Sequence, residues 1–230
     1  MGLEKTLLIE SLKGINCSLS DEQIALLDRF ESLVIETNEK FNLTNITSEP
    51  DFTIKHITDS VLALPLIPNG ASVLDIGAGA GFPSVPLAIC RKDISITAID
   101  STEKKINFII KVASDLNIKN IKAKSIRAED YKVDDKFDCV VARAVASLQV
   151  LLELALPLLK VGGIFIAYKA TDEEIKDSKN ALSILGGEIE KVEKLTLPNG
   201  DNRCFIVVKK VKETPPKYPR QYSIIKKKPL

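Results

Sequence analysis

An open α/β sheet, with helices ahead of it and one antiparallel strand near its far end, is the fold the sequence predicts. Three observations predict it. Short β-branched runs alternate with helix-length segments from residue 72 onward. The first run leads straight into a glycine loop, "VLDIGAGAGFP" (Val73 to Pro83). The last two runs are separated only by "PNGDN". Alternation implies parallel pairing through right-handed crossovers, and the closing pair implies a strand that runs the other way.

Taken in order, the first helix covers about residues 3–13 and ends near Gly14. The second begins after Ser20, whose hydroxyl can cap it, with Gln23 three residues on to complete a capping box. Ile24, Leu27, Phe30, Val34 and Phe41 then recur at helical spacing. "NLTNITSEPDF" interrupts the pattern, "TIKHITDSVLAL" resumes it, and "PLIPNG" is a turn and the best boundary. The predicted strands are "SVLDI", "ISITAID", "IKAKSI", "FDCVVA", "GGIFIAYK", "EIEKVEKLTL" and "RCFIVVKKV". The helices between them are "PSVPLAICR", "TEKKINFIIKVASDLN" and "LQVLLELALPLLK".

Composition sets outer limits. A chain of 230 residues, 45% hydrophobic and 27% charged, suits a soluble globular protein of one or two domains. No apolar stretch approaches the roughly 20 residues a membrane span needs. The first residues carry acids inside their apolar run and lack a small-residue cleavage site, so a secretory signal is not expected. "MGLEKT" fits the loose myristoylation pattern, but an amphipathic helix explains it better. Cys17, Cys90, Cys139 and Cys204 are far apart and there is one histidine, so neither disulfides nor a metal site is expected and a reducing cytoplasm is. The net charge of +1 hides a split. Residues 209–230 carry +7, leaving −6 on the remainder, which suggests a local polyanion contact or a solvated tail.

Gly77, Gly79 and Gly81 follow the first strand and precede a helix, where missing Cβ atoms allow a tight turn and a close ligand. Asp100 ends the second strand, 23 residues past Gly77, where a carboxylate can accept from both ribose hydroxyls. Ribose recognition fits NAD and S-adenosylmethionine alike. Asp75 favours the second, because a carboxylate beside the loop would repel a pyrophosphate by a few kcal/mol at ~5 Å. It would attract a sulfonium and an ammonium. Pro83 and Pro86 fall in the first turn of the next helix and remove N–H donors a phosphate would use. Ala128 and Glu129 leave the third strand in the right chain order to meet an adenine. The fourth strand ends at Ala142-Arg143-Ala144, so Arg143 should face a ligand at the carboxyl edge, unless it is a surface arginine paired with a carboxylate.

These stretches, with "IDSTEKKINFI", "RAED", "ARAVASL", "FNLTNIT", "KHITDS" and the terminal "PPKYPRQYSIIKKKPL", resemble the bacterial RsmG/GidB family. Its members are S-adenosylmethionine-dependent methyltransferases that act on a guanine N7 of 16S (small-subunit) ribosomal RNA. The resemblance implies a Rossmann-like class I methyltransferase sheet over residues 69–210. It implies a helical extension on the lid or substrate side over 1–68 and a basic tail over 211–230. It further implies cofactor contacts at Gly77, Phe82, Ala128, Glu129 and Arg143. Val145 stands where an aromatic is common, and Lys55 where arginine is common. The second change keeps the charge and weakens a bidentate phosphate contact.

The chemistry agrees. Guanine N7 already carries an in-plane lone pair, so neither an exocyclic-amine clamp nor a general base is needed, and the fourth strand ends in Ala-Arg-Ala instead. Arg143 is then expected to position guanine or cofactor. His56, the sole histidine, is either structural or an RNA contact near the mouth of the site. Arg220, Lys226, Lys227 and Lys228 are expected to meet phosphates. A duplex N7 is hard to reach in the deep RNA major groove, so a loop or turned-out nucleotide of a structured RNA or assembled small subunit is expected. A monomer is expected. The alternatives are a methyltransferase of a small molecule or protein, whose activity should survive loss of residues 211–230, and a non-catalytic RNA-binding module. A nicotinamide dehydrogenase is disfavoured by Asp75.

Overall fold

The computed structural model describes residues 2–143 and 146–230. Its strands are β1 (Ser72–Ile76), β2 (Ser95–Asp100), β3 (Ile121–Ser125), β4 (Phe137–Arg143), β5 (Leu159–Lys169), β6 (Gly187–Thr196) and β7 (Asn202–Lys210). They form one sheet in the order β3-β2-β1-β4-β5-β7-β6. Every ladder is parallel except the two made by β7, which runs antiparallel to β5 and β6. The order reverses between β1 and β4, where open sheets of this kind hold their ligands.

β1 is buried on both faces, and alternation sends its side chains to two different layers. Leu74 and Ile76 join a hydrophobic cluster with α6 (Leu148–Ala155), α7 (Lys179–Leu185) and α8 (Tyr222–Lys227). Val73 belongs to the other cluster, with α4 (Ser84–Cys90) and α5 (Glu103–Asp115). The N-terminal helices α1 (Lys5–Lys13) and α2 (Asp21–Asn38) share that second cluster. Residues 3–67 are therefore continuous with the sheet core on one side.

The capping box of α2 forms as expected. Ser20 Oγ accepts from the Gln23 N–H at 3.2 Å, and Gln23 Oε1 accepts from the Ser20 N–H at 2.9 Å. The Gln23 amide also donates to the carbonyls of Ile89 and Cys90 at 3.2 and 2.8 Å. One side chain thus starts α2 and ties it to the end of α4.

Two departures from the sequence reading bear on the site. "TIKHITDSVLAL" is a π turn over Thr53–Thr58 that runs into the short α3 (Asp59–Val61). The Asp59 N–H donates to Ile54 and His56 carbonyls and skips that of Lys55. The lysine-rich tail is no solvated chain either, because α8 buries Ile225 completely against the α6 layer. The strand end at Ala144 and the departure at Val145 lie outside the described residues.

Candidate active site

At the carboxyl edge of β1, β2 and β3 lies a cavity of about 190 Å³. Gly77, Asp100, Ala128 and Glu129 line it together with Ile76, Ile99, Ser101, Ile126, Arg127, Leu154 and Tyr222. Four of the sequence-predicted residues therefore meet in one place. Asp100 Oδ2 accepts from the Gly79 N–H at 3.0 Å, and Oδ1 from the Thr102 N–H at 2.8 Å. A carboxylate offers about four acceptor positions, so each oxygen keeps one for a hydroxyl.

The glycine loop answers which cofactor fits. Gly77, Gly79 and Gly81 all have positive φ, 74°, 57° and 95°. At Gly81 a Cβ would also lie 2.7 Å from Val85 Cγ2, so this glycine serves packing of the loop onto α4. The Gly77 and Ala78 N–H groups both donate to Ile99 O, at 2.9 and 3.0 Å. Gly81 and Phe82 both donate to Ala78 O, at 2.8 and 3.0 Å, and Gly79 is held by Asp100. Five of the six backbone N–H groups from Gly77 to Phe82 are thus spent inside the protein, which leaves few of the donors a pyrophosphate would require. A phosphate-free nucleoside bearing positive charge suits the acceptors Asp100 and Glu129, and S-adenosylmethionine is such a group.

Asp75 does not perform the role expected of it. It is 0% exposed, and alternation turns it away from Ile76 and the cavity. Its Oδ2 accepts from the Ser84 N–H at 3.2 Å, so it anchors the first turn of α4. Burial pushes its carboxyl from the ordinary 3.8 up to about 7, against the opposing pull of Ser84. The native state therefore holds a proton that the unfolded chain releases. The stability that Asp75 contributes is full below its ordinary value and is lost as pH rises through about 7. Asp75→Asn still accepts from Ser84 and cannot ionise. Its stability relative to the parent is expected to climb between about pH 4 and about pH 7 in denaturant titrations, and a pH-independent difference would refute this burial effect.

Phe82 is corrected likewise. It is buried among Phe30, Phe52 and His56, outside the cavity lining. It belongs instead to a second cluster, centred on Arg143 at the end of β4. The Arg143 side chain is 12% exposed. Its Nη1 donates to Lys55 O at 2.7 Å and to Asp59 Oδ2 at 3.0 Å, and its Nη2 donates to His56 Nδ1 at 3.3 Å. Lys55 O is free to accept because the π turn skips it. The guanidinium carbon lies 5.3 Å from the Phe82 ring centroid. Arg143 is therefore a paired arginine at the carboxyl edge, outside the lining of the cavity.

His56 sits as a structural residue, with little surface left for an RNA contact. It is 8% exposed and stacks on Phe82, with centroids 4.3 Å apart and planes 9° apart. Since Nδ1 accepts from Arg143, Nε2 carries the proton and donates to Thr44 Oγ1 at 2.7 Å. Burial, and then the nearby Arg143 charge, hold the imidazole down to about 3, so it is neutral. Arg220 is corrected too. Its Nε and Nη2 grip Glu153 Oε1 and Oε2 at 2.7 and 2.5 Å, and its N–H adds a third bond at 2.9 Å. Lys226, Lys227 and Lys228 are exposed, as a phosphate contact requires. The Lys55 ammonium pairs with Asp51 at 2.9 Å.

Four residues that sequence reading assigned no role, Asp59, Arg203, Tyr168 and Tyr222, organise these clusters. Asp59, 1% exposed, also receives Arg203, with Nε 2.5 Å from Oδ1 and Nη2 3.0 Å from Oδ2. The Tyr168 hydroxyl donates to Ser60 O at 3.1 Å. Strands β4, β5 and β7 thus each hold the turn around Asp59 with one side chain. The available signal was "HITDS", whose polar residues sit at helical spacing in an apolar run. Tyr222, in the cavity lining, carried no such signal.

Comparison with known proteins places this geometry. A family described as rRNA small subunit methyltransferase G, GidB, matches residues 23–203. A relative of that name from Pelotomaculum thermopropionicum is 40% identical over 96% of this chain and 96% of its own length. Another, from Streptococcus pyogenes, is 45% identical over 93% of this chain and 94% of its own. Among solved structures, the TYW2 protein of M. jannaschii in complex with AdoMet shares the fold, with a TM-score of 0.57 at 17% identity. That match covers 73% of this chain and 80% of the other. The sheet is that of class I S-adenosylmethionine-dependent methyltransferases, and the chain belongs to the GidB family of small-subunit rRNA methyltransferases.

Proposed function

We propose that this protein is a cytoplasmic, monomeric enzyme that transfers a methyl group from S-adenosylmethionine to N7 of a guanine in 16S ribosomal RNA. The observation that carries the reading is the meeting of Asp100 and Glu129 at a cavity whose glycine loop has spent five of its six donors internally. Asp100 would accept the ribose hydroxyls, Ala128 and Glu129 would meet the adenine, and Gly77 would allow close approach. Bound there, the cofactor supplies an electrophilic methyl group on a positively charged sulfur. The protein's part is to hold the guanine in line with it and keep water out, since the N7 lone pair needs no prior deprotonation.

Arg143 faces the same carboxyl edge with three of its five N–H donors committed to the turn around Asp59, which leaves two for a ligand. Residues 1–68 serve the substrate side in this reading, through that turn. The exposed Lys226, Lys227 and Lys228 serve RNA phosphates.

The test is tritiated methyl transfer to total RNA from a strain lacking the gene, followed by nucleoside analysis. The expected product is 7-methylguanosine in small-subunit RNA; label in another nucleoside, or in none, refutes the proposal. Arg143→Ala is expected to lower incorporation about 100-fold, the cost of a misplaced reactant. Asp59 keeps Arg203, so that variant should remain folded by circular dichroism.

A further inference from the structure

We infer that Tyr222, in the C-terminal segment, forms part of the cofactor pocket and couples cofactor binding to RNA binding. The inference rests on the cofactor reading above. Tyr222 lines the same cavity as Gly77, Asp100 and Glu129, across a gap of more than 90 residues of chain from the last of them. It is half-buried, with the Arg127 guanidinium carbon 6.0 Å from its centroid.

Its position is fixed from both sides. Two residues earlier, Arg220 is locked to the fully buried Glu153, the neighbour of the cavity residue Leu154. Three residues later, Ile225 is buried in the α6 layer. These two anchors hold Tyr222 beside the cavity, and an aromatic face is what a purine stacks on. The opposite end of the same helix exposes Lys226, Lys227 and Lys228.

A phosphate chain drawn to those lysines would hold α8 down on the cavity. RNA and cofactor should then strengthen each other's binding by the same factor, as linkage demands. A tail that merely attracted RNA would leave cofactor affinity unchanged.

Calorimetry with S-adenosylhomocysteine on the full chain tests this. Tyr222→Ala should bind about 10-fold more weakly, while Tyr222→Phe, which keeps the ring, stays near the parent. The chain has no tryptophan, so Tyr222→Trp adds a sole indole whose fluorescence should change and saturate at the calorimetric Kd. Small-subunit RNA should tighten S-adenosylhomocysteine in the parent several-fold. That gain should vanish when Lys226, Lys227 and Lys228 are all replaced by glutamine. Parent-like binding by Tyr222→Ala together with a silent indole overturns the inference alone. A parent chain that binds no S-adenosylhomocysteine overturns the cofactor reading beneath it.

Discussion

Replacing Asp59 with alanine is expected to destabilise the protein by about 3–5 kcal/mol and to abolish methyl transfer, which urea unfolding and the tritium assay would read. Asp59 is the shared partner of Arg143 and Arg203, and both arginine side chains are largely buried, at 12% and 19% exposure. Without the carboxylate two guanidiniums face each other across a turn that already lacks a regular helical register. The cost is that of leaving buried charge uncompensated, which exceeds what the ion pairs contribute when intact. The surface pair Lys55–Asp51 supplies the contrast. It holds the same turn at 2.9 Å, but solvent screens it, and Asp51→Ala should leave the urea midpoint close to the parent's. If both variants lost equally little, the Asp59 cluster would be behaving as a surface network and its role as the pivot of the site would fall.

How much of this was legible in the sequence depends on how far the cause lies from the effect. β1 was visible because a β-branched run and a glycine loop are local facts, and its range Ser72–Ile76 coincides with "SVLDI". The start of α2 was visible because Ser20 and Gln23 cap it within one turn. Asp100, Gly77, Ala128 and Glu129 were found together because strand ends in an open sheet converge by topology alone.

The misreadings share a different origin. Asp75 was placed at the right strand end, but its layer depends on the pleat, and its neighbour Ile76 took the cavity side. The π turn keeps apolar residues at nearly helical spacing, so periodicity cannot distinguish a skipped Lys55 carbonyl from an ordinary one. Arg203 lies 144 residues from Asp59, and nothing near "DNRCF" advertises its partner. In the tail, charge drew attention to the lysines. The residues that fix its place are Arg220, Tyr222 and Ile225 among them.

The same tail gives the second large effect. Deleting residues 211–230 is expected to leave a chain that does not fold stably, whatever its substrate, so the deletion cannot distinguish an RNA methyltransferase from a small-molecule one. Glu153 is 0% exposed and owes three hydrogen bonds to Arg220. Stripping a buried carboxylate of its partner costs about 3–5 kcal/mol. Exposing the site of Ile225, also 0% exposed, adds about 1.5–3 kcal/mol. Together these consume much of the roughly 5–15 kcal/mol that holds a domain folded. Arg220→Ala alone should show the first part as a lowered urea midpoint. The informative variant is the double one, Arg220→Met with Glu153→Gln, which removes both charges, nearly keeps the volume and leaves an amide oxygen to accept from the backbone N–H at position 220. Such replacements of buried pairs are often neutral or stabilising. If Arg220 acts only as a pin, the double variant should unfold near the parent midpoint and methylate RNA at the parent rate. A folded double variant with a raised KM for RNA would instead return Arg220 to the phosphate contacts, and the buried fork with Glu153 would no longer account for its presence.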